Sequence, residues 1–146
     1  MSDIEKGQQQ QVEVGIQRIY IKDLSFESPN APHIFTKSFN PQIQLDINTT
    51  SEKISDHTFE VSLAITATAK SESEVLFIAE VEQCGIFTIK GAMDQSLKQI
   101  LGSYCPSILF PYIREAIDSL TTKGSFPPLM LAPINFDALY NSRTKN

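Results

Sequence analysis

Three successive segments of the sequence alternate apolar and polar residues with a period of two. Residues 42–48 read QIQLDIN, residues 58–70 repeat the alternation after a predicted polar turn at 49–57, and residues 75–89 repeat it after a second polar turn. This period is typical of β-strands with one covered face. Parallel crossovers need a dozen or more residues, so links as short as hairpins predict antiparallel strands. The pattern excludes a sheet built from parallel βαβ units.

A fourth strand is predicted ahead of these three. Residues 14–27 are rich in β-branched and aromatic residues, which favour strands. The alternation is imperfect, because Ile16 and Tyr20 share one parity whereas Ile19 and Ile21 share the other. We expect such a strand to be covered on both faces, bulged, or paired with another subunit.

Helical periodicity begins after residue 94, and Gly102 is expected to end the first helix. A second helix is predicted to begin at Pro106, because proline is tolerated at the first helical position, where its missing N–H is not needed. Its apolar stripe ends before Gly124.

Residues 124–134, GSFPPLMLAPI, predict an irregular apolar loop. Asn135 then has the chemistry of an N-cap for a last short helix over residues 136–142. The predicted fold class is α+β: a four-stranded antiparallel meander with helices on one face.

Length and charge limit the possible functions. The 146 residues fit one domain over residues 14–142, with a disordered tail at 1–13 and a short tail at 143–146. A net charge of −5 without a basic cluster argues against nucleic-acid binding. With no secretory signal pattern and no apolar run near the roughly 20 residues that span a bilayer, we expect a cytoplasmic protein without membrane insertion.

No catalytic or metal-binding pattern is present in the sequence. It lacks the nucleophile elbow, the phosphate-binding loop and the dinucleotide glycine pattern. The two cysteines, Cys84 and Cys105, and the two histidines, His33 and His57, are widely spaced, so we expect no metal, no cofactor and no enzyme.

Apolar residues exceed what one sheet and two helices can cover. The loop after the first strand carries Ile34, Phe35 and Phe39, and residues 124–134 are apolar as well. Core packing explains each feature alone. Together they favour either oligomerisation or binding of apolar ligands, including a small ligand in a closed pocket.

Acidic residues share parity within two predicted strands: Asp23 with Glu27, and Glu80 with Glu82. If the first and fourth strands are neighbours, these carboxylates form one patch around Ile78, and strand parity places Leu76 on the same face. A solvated face and a contact with a basic partner both remain open.

Four long stretches resemble the bacterial protein-export chaperone family SecB. They are QRIYIKDLSFESPNAPHIF at 17–35, AEVEQCGIF at 79–87, LGSYCPSILFPYIRE at 101–115 and GSFPPLMLAPINFDALY at 124–140. The resemblance implies a homotetramer, a dimer of dimers. It also implies an ATP-independent holdase that keeps unfolded precursor proteins competent for export and delivers them to the SecA ATPase.

The resemblance also implies roles for individual residues. Asp23, Glu27, Ile78 and Glu80 match the docking face for SecA, whose basic tail carries zinc. Ile19, Ile21, Ala79, Val81 and Gln83 match positions tied to subunit assembly. The client-binding groove is expected to be lined by Phe26, Ile34, Phe35, Phe39, Ile43, Leu45, Ile47, Tyr112 and Leu129.

Overall fold

A computed structural model describes residues 11–38 and 40–144. Four antiparallel strands form one sheet in the order β1-β4-β3-β2: β1 (Glu13–Glu27), β2 (Gln42–Ser55), β3 (Thr58–Ser71) and β4 (Glu74–Lys90). The predicted four-stranded antiparallel sheet is confirmed. The meander covers only β2 to β4, because β1 lies beside β4 and not beside β2.

The long connection between β1 and β2 explains the position of β1. It crosses the end of the β3–β4 hairpin and carries a 3₁₀ turn at His33–Thr36. Ser28 Oγ donates a hydrogen bond to the Leu76 carbonyl at 2.9 Å, and Lys37 Nζ lies 2.8 Å from Glu74 Oε1. A tight hairpin between β1 and β2 is therefore absent, and the chain reaches the opposite edge of the sheet.

Strand β2 is longer than the sequence predicts. The expected turn at 49–57 is wrong, because Thr49 pairs with Leu63 and Ser51 pairs with Val61, and the strand continues to Ser55. β2 is an edge strand with exposed side chains, so polar residues can continue the backbone ladder without an apolar face.

Strand β1 carries two β-bulges, between Ile16 and Arg18 and between Ile21 and Asp23. Each bulge adds one residue and reverses the side-chain parity. The expected bulge therefore accounts for the imperfect alternation, and Ile19 and Ile21 lie on the same face of the sheet as Ile16. The apolar residues of both parities lie on the same face as the core-facing residues of β4 with which they pair: Ile16, Ile19, Ile21, Leu24 and Phe26.

The helices follow the sheet: α1 (Asp94–Gln99), a π-helix (Ile100–Tyr104), α2 (Cys105–Lys123) and α3 (Phe136–Thr144). The predicted stop at Gly102 is wrong, because the π-helix joins α1 to α2 without a break. Gly102 instead lets the ring of Tyr140 pack directly on the backbone. The predicted cap of α3 is confirmed, since Asn135 Oδ1 accepts a hydrogen bond from the Ala138 N–H at 3.0 Å.

Helix α2 packs on the two central strands, β3 and β4. Leu109, Ile113 and Ile117 of its apolar stripe are fully buried. Gly85 on β4 allows this close approach, because a Cβ there would lie 3.1 Å from Leu109 Cδ2. The main core therefore lies between one helix and the middle of the sheet.

The outer strands extend beyond this helix. A helix is about 10 Å wide, and a sheet of four strands spaced about 4.8 Å apart is wider than one helix. Apolar side chains on the helix side of both outer strands stay exposed: Ile16 (52 %), Ile21 (47 %), Ile43 (41 %) and Leu45 (38 %). The apolar surplus in the sequence is therefore located at the two sheet edges.

Candidate functional site

Four phenylalanines form an aromatic cluster at the end of the sheet where the β1–β2 connection crosses. The rings of Phe26 and Phe77 stack with centroids 5.7 Å apart, and Phe77 contacts Phe126 at 5.0 Å. Phe35 contacts Phe126 at 5.5 Å and remains 46 % exposed. The cluster thus runs from a buried base to a ring that is open to solvent.

Two aliphatic residues support this aromatic cluster from below. Ile34, in the 3₁₀ turn, and Leu76, on β4, are buried and share a core cluster with Phe77 and Phe126. Sequence parity places Leu76 beside Ile78 among the acidic residues, and this is wrong. An irregularity in the β3–β4 register next to Leu76 breaks that parity, and the side chain packs into the core.

Exposed residues of β2 continue the apolar surface of the cluster. Ile43 pairs with Ala69, and Ala69 belongs to the same buried cluster as Ile34. Leu45 lies two residues further along the same face of β2. We call the surface formed by Phe26, Phe35, Ile43, Leu45, Phe126 and Leu129 the apolar strip.

The structure brings most of the predicted groove residues together. Phe26, Ile34, Phe35 and Leu129 meet in or around the aromatic cluster. Ile43 and Leu45 adjoin it, whereas Ile47 packs against the main core. Tyr112 lies on the exposed face of α2 and belongs to neither cluster. The predicted groove residue Phe39 lies outside the described residues.

Two residues of the aromatic cluster were not predicted from the sequence as site residues. Phe77 has the inward parity of β4, which predicts a core position but not a place beneath a surface strip. Phe126 lies in the loop at 124–134, whose apolar composition is the one signal of a packed segment.

The opposite face of the sheet carries the predicted acidic patch. In the β1–β4 register Asp23 pairs with Glu82, and Glu27 pairs with Ile78. Paired residues share a face, and Glu80 lies on that face two residues from each of its strand neighbours. Asp23, Glu27 and Glu80 are exposed, and Ile78 is half-buried. We call these five residues the acidic face.

A hydrogen-bonded group lies beside the acidic face. The Tyr20 hydroxyl donates to a Glu60 carboxylate oxygen, and Lys22 Nζ lies 3.1 Å from the other oxygen. The hydrogen bond from Tyr20 is the main cause that holds the pKa of Glu60 below its ordinary value. Burial, and then the bond to Glu60, raises the pKa of Tyr20. This group fixes the bulged part of β1 to β3.

The residues predicted for subunit contacts fall into two groups. On β1, Ile21 is 47 % exposed and Ile19 is half-buried. Among the residues predicted for subunit contacts, Ile19 and Ile21 are the ones with solvent-accessible apolar surface. The members on β4 are buried by the core of their own chain: Ala79, Val81 and Gln83.

Both cysteines are free and buried. Burial raises the pKa of Cys84 and raises that of Cys105 to about 12, so neither thiol has the acidity of a reactive nucleophile. Within residues 11–38 and 40–144, no group of three or more His, Cys, Asp or Glu side chains is arranged to hold a metal ion. In the same ranges, no helix is long and apolar enough to span a bilayer.

Comparison with known proteins identifies the family. The model of the family described as preprotein translocase subunit SecB matches residues 7–146. The chain belongs to the SecB family. It is 55 % identical over 137 residues to the protein-export protein SecB of Marinobacter nauticus (strain ATCC 700491 / DSM 11845 / VT8), covering 94 % of this chain and 83 % of that one. Family membership makes the protein a preprotein-export chaperone.

A solved structure shares the SecB fold at low identity. It is the Mycobacterium tuberculosis Rv1957 SecB-like chaperone in complex with a ChAD peptide from the Rv1956 HigA1 antitoxin. The TM-score is 0.70 at 18 % identity, and the match covers 83 % of this chain and 90 % of that one. This likeness confirms the α+β fold class.

Removal of the Tyr20 hydroxyl tests the group around Glu60. A lowered carboxyl pKa stabilises the fold above its ordinary value of 4.5 and loses that effect as the pH falls through the lowered pKa. We expect Tyr20→Phe to lower the free energy of unfolding by about 1 kcal/mol at neutral pH and by much less in acid. Urea unfolding across pH at one protein concentration measures this, with Tyr112→Phe as the exposed control. An equal loss at neutral and acid pH would contradict the assignment.

Proposed function

We propose that the apolar strip holds unfolded precursor proteins without nucleotide and keeps them competent for export. The observation that carries this proposal is the open row of exposed apolar side chains beside a buried aromatic base. Phe35, Ile43 and Leu45 are 38–46 % exposed. Phe35 nevertheless contacts the buried Phe126, and Ile43 and Leu45 pair with buried alanines of β3. Such a surface loses water when an unfolded chain covers it.

The chemistry of the strip fits clients of many sequences. Burial of apolar area contributes about 25 cal/mol per Å² and does not depend on the order of residues in the client. Discrimination then comes from how long a client stays unfolded. Several strips on one assembly raise the overall affinity through avidity, by about 10²- to 10⁴-fold.

A closed pocket for a small apolar ligand is the alternative function. Such pockets bury most of the ligand surface in an enclosed cavity. The strip is instead open along β2, with side chains exposed in a row. This geometry favours an extended polypeptide over a compact ligand.

We infer that the acidic face receives the basic, zinc-bearing tail of SecA, with the zinc belonging to that partner. Exposed carboxylates around the half-buried Ile78 offer charge complementarity with one apolar contact. The acidic face and the apolar strip lie on opposite faces of the sheet. A client and SecA can therefore be bound at the same time.

We further propose a homotetramer, a dimer of dimers, assembled with the exposed apolar row of β1. Ile16, Ile21 and Leu24 are each more than 40 % exposed on this edge strand. An exposed apolar edge strand is a template for pairing with another chain. A symmetric assembly covers it.

Polar substitutions in the apolar strip test client holding. We expect the triple variant Phe35→Gln, Ile43→Gln, Leu45→Gln to bind a denatured client at least about tenfold more weakly, because three apolar contacts are lost. The measurements are client affinity and aggregation of a slow-folding protein without nucleotide. Ile54→Gln is the matched control, since Ile54 is 54 % exposed on β2 outside the strip. Full protection by the triple variant would contradict the proposal.

Charge reversal on the acidic face tests the SecA site. Glu80→Lys and Asp23→Lys should each weaken SecA binding about tenfold at low salt and leave client holding intact, because both side chains are exposed on the face away from the strip. Glu115→Lys, on the exposed side of α2, is the control for net charge. Unchanged SecA affinity in both variants would show that this face is not the docking site.

Native mass spectrometry tests the assembly. We expect a mass near four times 16.3 kDa. Ile21→Asp should yield smaller species, because it places a charge in the proposed contact. Ile54→Asp should stay tetrameric, and a monomeric wild-type chain would contradict the proposal.

A further inference from the structure

Strand β2 is one of the two edges of the sheet, so one side of its backbone has no neighbouring strand within the chain. One contact shows which backbone groups face this free side. Arg143 Nη2 donates to the Ile47 carbonyl at 2.5 Å, and because Arg143 lies on α3, that carbonyl points away from β3. The register with β3 is regular from Gln42 to Lys53, so the backbone groups of alternate residues point to alternate sides. The N–H and C=O groups of four further residues therefore face outward: Ile43, Leu45, Thr49 and Ser51.

The middle of this edge lacks the usual protection against other chains. Proline, lysine, a bulge or a covering element commonly protects an edge strand. On β2 such features lie at the two ends, since Pro41 precedes the strand and Lys53 adjoins the register irregularity. Residues 43–51 contain neither proline nor lysine. Helix α3 does not seal this stretch, because a cleft of about 500 Å³ lies between it and the second half of β2. The guanidinium of Arg143 occupies the middle of the unprotected stretch.

The unprotected stretch is complementary to a second copy of itself. In an antiparallel pair of β2 strands centred on Ile47, Ile43 lies opposite Ser51. Asp46 is the one charged residue between 43 and 51, and it lies opposite Asn48, so the side chains of the two strands bring no like charges into contact. The central pair uses the Ile47 carbonyl as an acceptor. Arg143 already holds that acceptor.

We propose that Arg143 caps the edge of β2 at Ile47 and thereby prevents β2 of one chain from pairing with β2 of a second copy. The guanidinium takes the acceptor that pairing requires. Because each copy carries Arg143 beside Ile47, pairing about this residue also brings two cations together. With β1 as the proposed assembly edge, pairing at both edges would join sheets one after another without limit. The inference concerns the edge opposite β1 and does not depend on client binding.

Removal of the guanidinium tests the cap by sedimentation velocity. We expect Arg143→Ala to form species of at least about twice the wild-type mass, in a fraction that rises with protein concentration, because β2 pairing joins two assemblies. Arg143→Lys should keep the wild-type size, since an ammonium group also donates to a carbonyl. Lys123→Ala, which removes a charge from an exposed position at the end of α2, should keep it as well.

A second substitution locates the contact on β2. Thr49→Pro removes an outward N–H, so it blocks an added strand and leaves the hydrogen bonds between β2 and β3 in place. Combined with Arg143→Ala, it should restore the wild-type size, and alone it should leave the size unchanged. If Arg143→Ala keeps the wild-type size at every concentration, or if the larger species persist when Thr49→Pro is added, the proposal is wrong.

Discussion

One helix is narrower than a sheet of four strands, and the exposed apolar surfaces of this molecule depend on that difference. Helix α2 buries the helix side of β3 and β4 and leaves the same side of β1 and β2 partly uncovered. A second long helix on this side would turn both rows into core. Because it is absent among the described elements, apolar side chains such as Ile21 and Leu45 stay at the surface of a folded chain, where they can bind other polypeptides.

Two local features divide these surfaces between the faces and edges of the sheet. The bulges of β1 turn its apolar residues to the helix side and its acids, including Asp23 and Glu27, to the other side. The crossing connection brings Phe35 over the aromatic cluster at the end of β4. The opposite faces thus acquire different chemistry, one apolar and one acidic. The two proposed roles, client holding on one face and partner docking on the other, use this separation.

The period-two pattern predicted β3 and β4 well, because their inward residues are buried and nearly all of them are apolar. It failed where burial does not constrain the residue, as at Thr49 and Ser51 on the edge strand, and where a register irregularity reverses parity, as at Leu76. The sequence left open whether β1 lies beside β4, because strand order depends on long-range packing that no local pattern encodes.

The candidate site was predicted in the same uneven way. The loop residues Ile34 and Phe35 stood out because large apolar side chains are unusual in a loop after two prolines. Phe77 and Phe126 were missed, because an inward strand residue and a loop residue give no sign that they form one cluster. Lys98 and Arg143 line one cleft between β2 and α3 although they are 45 residues apart in sequence, and only the fold brings them together.

Amide hydrogen exchange with and without a permanently unfolded client tests whether the uncovered apolar strip is the surface that holds the client. We expect slower exchange in the client complex at the 3₁₀ turn His33–Thr36 and along residues 42–47, with no change around Tyr112 on the exposed face of α2. Protection confined to α2, or no protection in the strip while the client is bound, would contradict it.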